Sequence, residues 1–382
     1  MIPPAGYNAG MSQLMVKPVA SKQEYGEWLW FPWKVYQGNP NWVPPVIMDV
    51  KDILNIKSNP FWKHSRRELF LAWRDGAVVG RIAAIIDDNH NMHHKEKMGF
   101  FGFFEVLPDE EAAKALLKEA AEWVKSFGME RLRGPVNPSM NDEFGFLVDA
   151  FDQDPAIMMA YTPAYYLDYA ERAGFKKAKD VWAWYKSAAA PLPERHARIL
   201  DKVAKRAGAR MRPLNMKRFD EDLDLIKELY NASWEHNWGF VPMTDDEMDY
   251  LAKKLKPLVR PELINFIEVN GKAVGMMLLF PDYNEVFKRM NGRLFPLGVL
   301  KFLWYKRKIR GLRLMALGVK KEFQGKGFDA LFNAEALRLG RELGYSGGEL
   351  SWTLEDNDLI NRSIEAMGCV RTKTYRLVEK AI

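Results

Sequence analysis

The stretch Leu314-Met315-Ala316-Leu317-Gly318-Val319, Lys320-Lys321-Glu322-Phe323, Gln324-Gly325-Lys326-Gly327-Phe328-Asp329-Ala330-Leu331 decides the reading of this chain. It runs from an apolar strand through a charged turn to a glycine-rich turn. That turn opens a helix reaching to near Gly344. Strand, glycine turn and helix N-terminus in this order make an anion cradle. The glycines let the backbone approach closely, and free N–H groups with the helix dipole face a ligand's phosphates.

Working outward, downstream of the cradle come a strand at Glu349 to Leu354, a helix near Asp358 to Met367, Gly368, and a strand at Lys373 to Val378. Upstream, Asn265 to Val269, Asn270-Gly271 and Ala273 to Phe280 spell a hairpin. Asp220 is the expected cap of a helix reaching Trp234, and Thr244 starts the next one, with Asp245, Asp246 and Glu247 in its first turn. A helix is expected at Arg198 to Arg206, after a linker at Ser187 to Pro193.

The first half runs through similar events. Leu69 to Trp73, Arg74-Asp75-Gly76 and Val78 to Ile86 form a hairpin. Gly99 to Val106 is a strand, Glu110 to Phe127 a helix, Arg131 to Val136 a strand, and Asn137 to Asp154 a long loop. A helix at Pro163 to Ala173 stops at Gly174, and a strand follows at Asp180 to Tyr185. Glu171-Arg172-Ala173-Gly174-Phe175 and Glu365-Ala366-Met367-Gly368-Cys369 fall at corresponding points. The chain therefore reads as a tandem duplication of one α/β (α+β) unit, divided into 1–190 and 191–382.

Composition limits the function classes. With 382 residues the chain is long enough for two domains. The net charge of +6 suits a polyanionic cofactor or an anionic membrane surface and does not point to nucleic acid. Cys369 is the single cysteine, which excludes an intrachain disulfide and fits a reducing compartment. Met1 to Gly10 lacks an apolar core, so no signal peptide is expected. No apolar run approaches the length of a membrane span. A cytoplasmic protein is expected.

The second half resembles the GNAT acyltransferase superfamily, through Val319, Gln324-Gly325-Lys326-Gly327, the strand Glu349 to Leu354, Asn357 and the helix ending at Gly368. The whole chain resembles the YghO-like family of bacterial GNAT-type proteins. That likeness rests on Trp42-Val43-Pro44-Pro45, Gly99-Phe100-Phe101-Gly102-Phe103-Phe104-Glu105, Gly134-Pro135-Val136-Asn137-Pro138-Ser139, Asn141-Asp142-Glu143, Asn291-Gly292-Arg293-Leu294, Ser351-Trp352-Thr353-Leu354-Glu355-Asp356-Asn357 and Tyr375-Arg376. Bacterial ceramide synthases, which N-acylate a sphingoid base, look similar in kind. The resemblance implies two GNAT-like domains in tandem, each a mixed, mostly antiparallel sheet flanked by helices. It also implies an N-acyltransferase using acetyl-CoA or a longer acyl-CoA, without a metal.

By the same resemblance, Leu317, Gly318 and Val319 offer backbone to the thioester. Gln324, Gly325, Lys326, Gly327, Phe328, Asp329 and Ala330 cradle the diphosphate, and Asn357 meets the pantetheine arm or holds the next helix start. Two departures stand out. Asp329 replaces the usual Gly or Ala at the end of the turn, and Ile364 occupies the place of a tyrosine that protonates the leaving thiolate.

Candidates for the acid–base work are Glu349 and Ser351, which share one strand face. Glu105, a carboxylate among phenylalanines, and His236 are the others. Asp142 and Glu143 read as a solvated acidic turn more readily than as catalysts. His90, His93 and His94 fit no standard metal spacing. Leu107-Pro108-Asp109-Glu110-Glu111 is acidic where the first half would need a cradle, so the first half is expected to shape the acceptor site. The acceptor is expected to be a small-molecule or lipid amine.

The segment from Lys288 to Arg310 carries eight cations and no acid, interleaved with Trp, Phe and Leu. It suits contact with an anionic membrane at its inner face. Two other readings stay open: a non-catalytic module with a decayed site, and amino-acid transfer from charged tRNA.

Overall fold

The computed structural model describes residues 13–191, 208–235 and 237–382. The expected helix at 198–206, part of the expected linker and His236 lie outside them. Fifteen strands are present among the described residues: β1 Leu14–Pro18, β2 Ser65–Arg74, β3 Ala77–Asp87, β4 Met98–Val106, β5 Arg131–Gly134, β6 Val136–Asn137, β7 Glu143–Phe144, β8 Phe146–Leu147, β9 Lys176–Ser187, β10 Ala209–Pro213, β11 Ile264–Val269, β12 Lys272–Pro281, β13 Gly311–Val319, β14 Gly347–Leu354 and β15 Val370–Ala381. Thirteen of them form one sheet in the order β1-β2-β3-β4-β5-β15-β9-β14-β13-β12-β11-β10, with β8 also on β15.

The duplication is visible in the ladder. All neighbours along the main path are antiparallel except β4–β5 and β13–β14. Each parallel pair follows a meander that includes a two-residue hairpin turn. Asp75-Gly76 and Asn270-Gly271 both sit at positive φ, the left-handed turn geometry that matches strand twist. The halves are joined by exchange of their last strands. β9 lies between β15 and β14, while β15 reaches across to β5.

Helix Glu110–Ser126 covers one face of the first-half sheet, and helix Lys22–Val35 packs on the other through Trp28 and Leu29. In the second half, Phe328 and Phe332 of helix Phe328–Glu342 pack with Leu312 and Leu314. Leu225, Ile226 and Leu229 of helix Phe219–Trp234 pack on the opposite face with Phe266 and Met276.

Two readings from sequence need correction. Asp220 does not cap its helix: Phe219 is drawn into the apolar cluster, the helix begins there, and its N-cap position is Arg218 without a side-chain bond. Asp222 instead takes the local donors, Arg212 at 2.8 Å and the Asn215 N–H at 2.8 Å. Asp142 and Glu143 are not on a solvated turn. Their loop contributes β6, β7 and β8, and the second half packs over it.

Candidate functional site

The hydrogen bonds between β13 and β14 run from Gly311–Gly347 to Leu314–Leu350 and then stop, although both strands continue. The sheet therefore splays open. Met315 sits at a register shift against β12, so the β13 edge from Met315 to Val319 that faces β14 has no ladder partner.

The glycine turn lies at the end of that edge. Gly325 and Gly327 have φ of 70° and 86°, conformations that L side chains rarely adopt. Gln324 Nε2 ties the turn to the Val319 carbonyl at 3.0 Å. The backbone N–H groups from Gly325 to Ala330 have no hydrogen-bond partner among the described residues, and Gly327 provides no side-chain cap. Asp329 does not fill this cradle. Its carboxylate accepts a 2.8 Å bond from Ser363 Oγ on helix Asp358–Ala366. Asn357 caps that helix, accepting from the Ile360 N–H at 3.3 Å. The donor set thus fits a diphosphate. Ile364 is buried beside Trp184, Met367 and Cys369, so no hydroxyl comes from that position.

The first half has no such opening. A Cβ on Gly102 would stand 1.6 Å from the Val136 carbonyl oxygen, so β6 lies directly against β4. Asn137 Oδ1 takes the Phe103 N–H at 2.6 Å. The start of the following helix is also filled. Asp109 accepts from the Ala112 N–H at 3.0 Å, and Arg74 bridges Asp109 and Glu111, each at 2.7 Å.

An apolar cavity of about 180 Å³ lies beside the splayed pair, under helix Phe219–Trp234 and helix Asp245–Leu255. Arg313, Met315, Ala316 and Trp352 line it from the sheet. Met140, Asn141, Asp142 and Met158 line it from the first half. Asp142 accepts a bond from Ser139 Oγ. Burial pushes its carboxyl up to about 6, and burial with the neighbouring Asp142 pushes Glu143 up to about 7, against the pull of Arg313. Of this adjacent pair, Asp142 is the member that lines the cavity.

The residues singled out from sequence are distributed differently. Gln324 to Ala330 form the cradle. Val319 anchors the turn, and Leu317 and Gly318 lie on the open strand. Gly318 packs tightly against Ser233 and Trp234. Glu349 Oε2 lies 2.8 Å from Lys373 Nζ, both side chains being less than a tenth exposed. Ser351 Oγ accepts from Arg313 Nε at 3.0 Å. Glu105 lies across the sheet on β4, holding the Tyr166 hydroxyl at 2.7 Å, and burial raises its pKa. His90 lies 3.5 Å from Glu96, and His94 Nε2 is 2.9 Å from the Phe240 carbonyl. Among the described residues no group of three His, Cys, Asp or Glu could hold a metal. No helix among them is long and apolar enough to cross a membrane.

No protein-family model matches the chain. The chain is 34% identical over 387 residues to the bacterial ceramide synthase of Caulobacter vibrioides, covering 98% of this chain and all of that protein. It is 32% identical over 380 residues to protein YghO of Escherichia coli, covering 97% and 96%. Among solved structures, a tandem GNAT protein from the clavulanic acid biosynthesis pathway superposes with a TM-score of 0.56 at 13% identity, covering 97% of this chain and 98% of that one. A GCN5-related glucosamine N-acetyltransferase region of a fungal multi-domain β-N-acetylglucosaminidase superposes at 0.57 with 14% identity. All of this chain is covered, and it spans 40% of that protein's length. These likenesses and the splayed, duplicated sheet agree: the chain belongs to the YghO-like family of tandem GNAT-fold proteins, together with the bacterial ceramide synthase.

Proposed function

We propose that this protein is an acyl-CoA-dependent N-acyltransferase whose acceptor is an amine on a long apolar chain, as the ceramide synthase name of its relative suggests. The observation that carries this reading is the apolar cavity between the halves, which ends on the splayed strands and has one carboxylate of near-neutral pKa in its wall. The segment 191–382 takes the donor and 1–190 completes the acceptor side. Acyl-CoA, when bound, supplies the thioester carbon at which the amine forms a C–N bond as the C–S bond breaks.

The protein's own groups divide the remaining work. The amides from Gly325 to Ala330 hold the diphosphate. The unpaired edge of β13 offers backbone donors to the acyl oxygen. The cavity seats the acceptor's chain and excludes water. Asp142 takes the proton from the attacking nitrogen. With an isoleucine at 364, the leaving thiolate takes its proton from water.

The test is product analysis after incubation with palmitoyl-CoA and sphinganine. An amide appearing with stoichiometric thiol release is expected. Failure to bind either palmitoyl-CoA or acetyl-CoA in calorimetry would sink the proposal.

The Asp329→Asn variant isolates the charge beside the cradle, because Asn retains an acceptor for Ser363. It should bind acyl-CoA about two- to tenfold more tightly at low salt, the order expected for one helix-terminal charge. Weaker binding would make that carboxylate a contact to the ligand rather than a repulsive neighbour.

A further inference from the structure

The 284–308 segment folds as two short helices, Asn284–Met290 and Leu297–Tyr305, followed by a 3-10 turn at Lys306–Lys308. The second helix, Leu-Gly-Val-Leu-Lys-Phe-Leu-Trp-Tyr, is apolar apart from Lys301. A helix of that composition ordinarily belongs in a core. Here only Gly298 is fully buried. Leu297, Leu300, Leu303 and Trp304 are 50–66% exposed, and Phe295 just before them is 66% exposed.

The segment is held in place. Phe302 stacks on Tyr283 at 5.7 Å. Gly298 lies against the Arg293 carbonyl so closely that a Cβ would stand 2.0 Å from it. Asn291 accepts from Trp33 Nε1 of the first half at 2.8 Å. The exposed apolar face is therefore a built surface.

Its rim says what covers it. The side chains of Arg289, Arg293, Lys301, Lys306, Arg307, Lys308 and Arg310 form no ion pair among the described residues, the Glu285 carboxylate accepting only from the Arg310 backbone N–H; of the segment's cations only Lys288 has an ion-pair partner, Asp154. Several lie over aromatic rings instead: Arg293 over Trp30, Arg289 over Tyr305, and Lys308 beside Trp304. Uncompensated cations around exposed Trp, Phe and Leu match an anionic bilayer surface, where the rings enter the interface and the cations meet phosphate headgroups.

We infer that the 288–310 segment docks the protein peripherally on anionic membranes. This inference is independent of the reaction proposed above. Co-sedimentation of the full chain with phosphatidylcholine vesicles, with and without phosphatidylglycerol, tests it. Binding at least about tenfold tighter to the anionic vesicles, weakened by salt, is expected.

Two surface variants separate the contributions, neither touching the cavity. Lys306→Glu/Arg307→Glu/Lys308→Glu should abolish the preference for anionic lipid. Phe295→Ser/Leu300→Ser/Trp304→Ser should weaken binding about tenfold and leave less of it at high salt. Equal binding to neutral and anionic vesicles, or variants that sediment like the parent, would overturn the inference. So would a parent dimer that ignores vesicles and becomes monomeric in the serine variant, which would assign this face to a second copy of the chain.

Discussion

The Asp142→Asn variant should lose about two to four orders of magnitude in kcat/KM while folding at least as stably as the parent at pH 7. The activity loss follows from placement and charge. Asp142 lines the apolar cavity, and its carboxyl, held at about 6 by burial, is mostly ionised at neutral pH. Asn retains the shape and an oxygen for Ser139 Oγ but cannot take a proton. The parent's kcat/KM should rise with pH through about 6 as this base ionises. The variant should lack that limb, while a limb from the acceptor amine itself persists in both.

The stability change has the opposite sign. Burial raises this carboxyl from 3.8 when unfolded to about 6 when folded, so the folded state binds the proton more tightly. Folding stability therefore falls as pH rises from about 4 to about 6 and stays lower above that. Removing the ionisable group should recover stability on the order of 1–2 kcal/mol at pH 7, less than the full shift implies because the side chain keeps some exposure to the cavity. Below pH 4 the gain should vanish. An Asp142→Asn protein with parental activity and an unchanged pH profile would remove Asp142 from the reaction.

What the sequence could show of this site was governed by distance along the chain. The cradle was legible because strand, turn, glycines and helix start are contiguous, and Gly325 and Gly327 have the positive φ their residue type suggested. The two hairpins were legible for the same reason. Asp142 and Glu143 were not, because an acidic pair in a loop carries no local mark of burial. Their environment comes from helices about a hundred residues away. Tyr230 donates to the neighbouring Asn141, whose side-chain amide donates to the Val241 carbonyl at 3.1 Å. A weak signal was present in Phe144 and Phe146, whose apolar rings draw the loop inward. Strand exchange was equally hidden. Val370–Ala381 is a strand whose Tyr375 and Leu377 pack into one core and Val378 into the other, and its apolar run says nothing of which neighbour it joins. Glu349 is a candidate base by its strand face alone, and nothing local in the sequence marks its buried ion-pair partner Lys373. Face alternation places Glu349 and Ser351 on one side correctly, but that side is packed with buried charge.

Glu349→Gln should destabilise the protein by about 3–5 kcal/mol, the range for removing one partner of a buried ion pair. Glu349 stands on β14 and Lys373 on β15, with β9 between them, and the side chains are only 8% and 6% exposed. The pair bridges three strands at the place where the halves exchange their termini. Arg313 feels the same carboxylate, so neutralising Glu349 leaves two buried cations facing an amide. The loss should therefore appear in the denaturation midpoint. Any drop in activity should follow the fraction folded, with no change in the pH profile of the folded enzyme. The double variant Glu349→Leu/Lys373→Met tests the electrostatic origin, because replacing both partners with apolar groups is often neutral. It should recover the part of the lost stability that comes from stranding Lys373, while Arg313 still lacks this carboxylate. A Glu349→Gln protein as stable as the parent but inactive would reverse the assignment. The proton would then pass to Glu349, whose Oε1 is buried without a hydrogen-bond partner. Lys373 would have to be read as the group that holds this base in place.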